Sequence, residues 1–154
     1  MRTMILSFKA DVYKRVLSGE KIYEHRKVFP DDNIKAYLYL SQPIKAISGI
    51  MYLSNRIDIA DLRNEAINDE DMLRRINDYL THDKYAMEIN KFQETNSIPL
   101  SRLREEICGF VVPQMYYFID NTPLLKYLEK NIILSGKEIK HEFDGSNISA
   151  IIGG

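Results

Sequence analysis

A chain of 154 residues with 45% hydrophobic content is long enough for one domain with an ordinary core. Its formal net charge of -1 excludes the broad cationic surface of a non-specific nucleic-acid binder. A local basic cleft stays open, because Lys9, Lys14, Arg15, Lys21, Arg26 and Lys27 all fall early in the chain.

Residues 4–8 form the first predicted strand. Nothing before or within it reads as a signal peptide or a membrane span, since the apolar run is short and broken by Lys9 and Asp11. Residues 11–17 predict a two-turn helix with Val12, Val16 and Leu17 on its buried stripe. Gly19 suits the left-handed position that ends such a helix. A strand over 21–29 follows, then a turn at 30–33. Residues 36–41 alternate and are rich in strand formers, and Gln42-Pro43 breaks them. The next strand is 45–53, where Gly49 predicts a bulge or a close backbone approach.

The character changes near Asp58. The charged stretch 58–85 carries Ala60, Leu62, Ala66, Ile67, Met72, Ile76 and Leu80 at helical spacing, which predicts two or three short helices inserted between strands. Strand alternation resumes over 85–92. Ser101 is placed to cap a short helix. Cys108, the only cysteine, sits among Ile107, Gly109, Phe110 and Val111, which predicts a buried, inert thiol and a reducing, cytoplasmic setting. Residues 115–119 form the last clear strand. Asn121 or Thr122 caps a final helix with Pro123 in its first turn. The element order predicts an α+β fold class, an antiparallel, strand-rich unit combined with helices. It forms one domain over 1–154, with a helical insertion at about 57–84 and a C-terminal helix and tail at about 121–154.

The segment from Gly19 to Lys27 is the most informative. Alternation puts Ile22, Glu24 and Arg26 on one side of the strand and Tyr23, His25 and Lys27 on the other. An inward carboxylate beside an inward guanidinium is costly in a plain core, because each charge loses its water. It is tolerable where a cleft opens to water or a polar ligand. The bland alternative is an ion pair that only ties barrel to helix.

Three blocks of the chain, in order, resemble the ASCH domain of the PUA-like superfamily. The first has Gly19, Lys21, Glu24 and Arg26 in a Gly-x-Lys-x-x-Glu-x-Arg pattern, the second spans 85–105, and the third runs from Gly109 to Tyr117. The resemblance covers roughly residues 4 to 130. It implies a small β-barrel with a cleft beside the first helix and an RNA or modified-nucleotide ligand. It also implies a second class of activity, since one branch removes acyl groups from the amine of acetylated cytidine with a Lys, a Thr and a Glu. Lys21 matches that lysine, whereas Glu24 fills the position of the threonine. Ala10 stands where many relatives carry Pro.

The expected ligand-binding residues are Lys9, Lys21, Glu24, Arg26, Gln114 and Tyr116. Lys21 and Arg26 suit a phosphate or carbonyl, Glu24 an exocyclic amine, and Gln114 a base edge with Tyr116 or Tyr117 as a stacking face. Lys21 and Glu24 are the catalytic residues if the chain is an enzyme. His25, His82 and His141 are scattered, so no metal is expected, nor is any cofactor. Three functions stand open: a binding module for RNA or a nucleotide, an amidohydrolase, and a protein-interaction domain that uses the insertion or the Ile-rich tail.

Overall fold

The computed structural model describes residues 1–145 and 147–153. The N-terminal half runs β1 (Arg2–Phe8), α1 (Ala10–Leu17), β2 (Tyr23–Arg26), β3 (Ile34–Leu40) and β4 (Ala46–Asp58). A 3-10 turn at Ile59–Asn64 and α2 (Glu70–Leu80) separate β4 from β5 (Tyr85–Pro99). There follow α3 (Leu100–Glu106), β6 (Tyr116–Phe118), α4 (Pro123–Asn131), β7 (Leu134–Lys140) and α5 (Ile148–Ile152). The strands make one curled half-barrel sheet in the order β2-β5-β4-β3-β1-β6, with β7 added to β5. All pairings are antiparallel except that of β1 with β3.

Alternation divides β1 and β3 between two cores. Met4, Leu6 and Phe8, with Ala36, Leu38 and Leu40, enter the concave core beside Met51, Met87 and Phe92. Ile5, Tyr37 and Tyr39 lie on the other face, under Leu103 of α3 and Leu124 and Leu128 of α4. Both faces are covered, so these strands read as nearly continuous apolar runs. A third cluster packs Ile59, Met72 and Ile76 of the helical segment, with Ile151 and Ile152 of α5, against Tyr23 and Ala86. Each large side chain so buried contributes roughly 1.5–3 kcal/mol relative to exposure.

Helix α1 lies over the concave core through Val16, Val12 and Leu17. Tyr13 meets Phe92 edge-on with ring centroids 5.5 Å apart. Gly49 lets that contact form. The β4–β5 register shifts between Ser48 and Ile50, and the Gly49 amide donates to Thr95 Oγ1 at 2.7 Å. The expected bulge and the expected close approach therefore occur together. Thr122 caps α4 by accepting from the Leu125 amide, with Pro123 opening the helix.

Four local expectations change. The β2 ladder is only Tyr23–Arg26, because residues 27–33 leave the sheet. Strand β5 continues to Pro99, held by β4 on one side and by β2 and then β7 on the other. Ser101 lies inside α3, which starts at Leu100 without a side-chain cap. Cys108 is exposed, because residues 107–115 form an irregular loop and not a buried strand.

Candidate functional site

Three connections bring the polar residues to one place. The β1 strand ends at Phe8, and the Lys9 carbonyl accepts from the Tyr13 amide, so Lys9 stands at the start of α1. Gly19, at φ +80°, turns the chain after α1, and the Lys21 amide donates back to the Arg15 carbonyl at 3.0 Å. The Ser7 amide donates to the Met115 carbonyl at 2.8 Å, which brings the neighbouring Gln114 beside the end of β1.

A cavity of about 440 Å³ lies where these segments meet. Lys9, Lys21, Glu24, Arg26 and Gln114 all line it. Ser7, Phe8, Val12, His25 and Asp83 complete its wall. Tyr116 is elsewhere: its ring packs between Phe29 and Phe118, with centroids 5.5 and 5.9 Å away.

Glu24 is the pivot of the cluster. It is 4% exposed, yet each carboxylate oxygen has partners. Arg26 Nε donates to Oε2 at 2.9 Å, and Arg26 Nη2 reaches the same oxygen at 2.8 Å. Lys21 Nζ stands 3.6 Å from Oε1, which also accepts from the His25 amide at 3.3 Å. Arg26 Nη2 also donates to the Ser7 carbonyl at 2.8 Å, so the guanidinium ties β2 to β1 across the mouth of the sheet. The ion pair and the open cavity therefore coexist: the charges are joined to one another and still adjoin free space. Such a buried carboxylate is retained only because its oxygens are met by charge and by N–H groups.

The alternation along β2 separates two environments. Glu24 and Arg26 face the cavity, whereas Tyr23 packs into the cluster under α2 and α5. His25 borders both. Its ring lies against Tyr79 of α2, with centroids 4.8 Å apart, and it also contributes to the cavity wall. Burial pushes the Lys21 pKa below its ordinary value, opposed by the nearby Glu24 carboxylate. Burial likewise lowers the His25 pKa, with the Lys21 charge acting in the same direction.

His25 and Asp83 were not among the residues singled out from sequence. His25 lies inside the Gly19–Lys27 segment, but alternation assigned it to the opposite side. Asp83 follows the helical insertion, and no local pattern marks it. It arrives because the Lys84 amide donates to the Arg26 carbonyl at 3.0 Å. Among the described residues, no three His, Cys, Asp or Glu side chains group as a metal site requires. No helix of the described residues is long and apolar enough to cross a membrane. A larger, mostly apolar cavity of about 670 Å³ lies between the α3–β6 connection and α4, lined by Cys108, Phe110, Val111, Tyr117 and Leu124 among others. Its lining lacks the cluster of ionisable groups that Lys9, Lys21, Glu24, His25, Arg26 and Asp83 form in the smaller, polar cavity.

No family model matches the chain, and no curated protein does. Solved structures do. The ASCH protein from Zymomonas mobilis superposes with a TM-score of 0.63 at 20% identity, over 86% of this chain and 96% of that one. A serine-to-alanine variant of the same protein gives 0.62 at 21% identity, over 87% and 97%. A tyrosine-to-phenylalanine variant gives 0.60 at 19% identity, over 88% and 100%. The chain thus has the fold of an ASCH domain, the PUA-like half-barrel with flanking helices.

Proposed function

We propose that this chain, built on an ASCH-type fold, is a cytoplasmic binding module for RNA or for a nucleotide with a modified base, which it holds in the cavity beside α1. One observation carries this: Lys9, Lys21, Glu24, Arg26 and Gln114, distant in sequence, meet around a single polar cavity. Its volume, about 440 Å³, falls within the rough 300–1,000 Å³ span of small-molecule sites. Three cations, Lys9, Lys21 and Arg26, face two carboxylates, Glu24 and Asp83, which leaves a surplus for an anionic group such as a phosphate. Gln114 offers both a donor and an acceptor to a base edge. Phe8 and Val12 supply the apolar wall.

Calorimetric titration with cytidine 5′-monophosphate and with short single-stranded RNAs tests the proposal. Loss of charged hydrogen bonds in Arg26→Ala is expected to weaken binding roughly 10- to 100-fold. The log–log salt slope should be shallow, about -1 to -2, because few cations can meet phosphates. Equal affinity of wild type and Arg26→Ala removes the cavity from the account.

A second reading, an amidohydrolase acting on an acylated nucleobase amine, has one observation in its favour. Lys21 is buried and its pKa is lowered, which is the direction a nucleophilic or basic lysine needs. On that reading acetylated cytidine is converted to cytidine and acetate, and Lys21→Met abolishes the conversion. No cytidine released at high protein concentration excludes it.

A further inference from the structure

His25 is held at both ring nitrogens. Nε2 lies 2.7 Å from the backbone carbonyl of Ile151, which can only accept, so Nε2 carries the proton. Nδ1 lies 3.5 Å from the Lys21 ammonium, which can only donate while charged, so Nδ1 presents its lone pair. Both neighbours select the same neutral tautomer. Lys21 continues the chain of contacts to Glu24 Oε1 at 3.6 Å. At the other end, Ile151 belongs to α5, where Ile151 and Ile152 are 0% and 2% exposed against the α2 cluster. A path of polar contacts therefore runs from the C-terminal helix to a cation at the cavity wall.

We propose that His25 is a positioning residue that ties the docking of α5 to the placement of the Lys21 ammonium in the cavity. The consequence for ligand binding rests on the binding-module reading above, whereas the coupling itself is measurable without ligand. Protonation of His25 leaves the Nε2–H bond to Ile151 intact and turns Nδ1 into a second donor. The ammonium then faces an N–H of a like-charged ring, and Lys21 is the group that must leave.

Every element around the ring bears on this titration. Lys21 and Glu24 flank it on its own segment, and Asp83 precedes β5. Tyr79 covers it from α2, and Arg15 and Glu20 share the small cavity on that side. Glu24, Asp83 and the Ile151 bond favour the imidazolium; burial, the largest effect, and Lys21 oppose it, and the net shift is downward. An imidazole whose folded pKa falls below its ordinary value of about 6.5 supports the folded arrangement, with the Lys21 ammonium seated at Nδ1, above that pH. That support is lost as pH falls through the lowered value.

Nitrogen-15 and carbon-13 NMR of the full chain tests the coupling. At pH 8 the His25 ring is expected as the Nε2–H tautomer. On acidification the Lys21 Cε resonance should move with the same midpoint as His25, below about 6.5. In His25→Gln the side-chain amide can still donate to Ile151 but offers no acceptor at the Nδ1 position. There the Lys21 step disappears while the α5 amides stay protected from exchange. In full-length Ile152→Glu, which expels α5, His25 should show mixed tautomers and a midpoint nearer the ordinary value. An Nδ1–H tautomer in the wild type, a Lys21 resonance that ignores His25, or an unchanged His25 in Ile152→Glu overturns the proposal. Should cytidine 5′-monophosphate fail to bind while the coupled titration is present, the coupling stands and the binding reading falls.

Discussion

Glu24→Ala is expected to destabilise the protein by about 3–5 kcal/mol, the cost of leaving buried charges without their partner. Glu24 is nearly sealed, and the Arg26 and Lys21 side chains are only 20% and 12% exposed. Removing the carboxylate leaves Arg26 bonded to the Ser7 carbonyl without its carboxylate partner, and leaves Lys21 against His25. A surface ion pair of the same length would cost about 0–1 kcal/mol, so burial decides the magnitude. The double change Glu24→Leu with Arg26→Met should cost less than Glu24→Ala, because it removes both charges and retains apolar volume. Urea unfolding of the three proteins measures this. A loss below about 1 kcal/mol in Glu24→Ala would mean that water reaches the cluster freely, and the cavity would then lack the low-dielectric wall that strengthens its contacts.

The parts of this site legible in the sequence are those whose cause is local. Gly19 closes α1 with a positive φ because a residue without a side chain stands where the helix must turn. Glu24 and Arg26 share one side of β2 because strand residues two apart do so, and their costly burial announced a polar neighbourhood. Thr122 and Pro123 open α4 through a capping pattern visible in four residues. Gly49 showed itself as a glycine inside a strand pattern.

What stayed hidden depends on contacts remote in sequence. Strand β7 is exposed along nearly its whole length, so neither face carries apolar alternation, and it is a strand because β5 has an edge left to pair. His25 obeyed alternation, yet its ring nitrogens are used because α5 returns more than a hundred residues later to offer the Ile151 carbonyl. Asp83 reaches the cavity through pairing of the residue after it with the end of β2. Cys108 looked buried by its apolar neighbours, but those neighbours line an open cavity and leave the thiol in solvent. Local pattern located the polar strand; closure of the sheet decided what stands around it.

The other large effect expected is in Gly49→Ala, and a comparison with Gly19→Ala isolates its cause. Both glycines have positive φ, +92° and +80°. An alanine at either position carries backbone strain of about 1–2 kcal/mol. At Gly19 a methyl group meets nothing within 4 Å. At Gly49 it stands 2.8 Å from Phe92 Cε1 and 3.2 Å from Tyr13 Cε1, and Phe92 is wholly buried in the concave core. Overpacking there adds about 1–3 kcal/mol, because the ring has no free volume to enter. Gly49→Ala should therefore lose about 2–5 kcal/mol in urea unfolding, clearly more than Gly19→Ala. The strain also has a direction. Phe92 and Tyr13 form the edge-on contact that seats α1, and the same helix carries Val12 and follows Lys9 at the cavity. Weaker binding of cytidine 5′-monophosphate in folded Gly49→Ala is accordingly expected, through a displaced α1 and not through any contact with the ligand. Equal losses of stability in the two variants would show that the Tyr13–Phe92 contact yields freely, and α1 would then not be held in place by the β4 bulge.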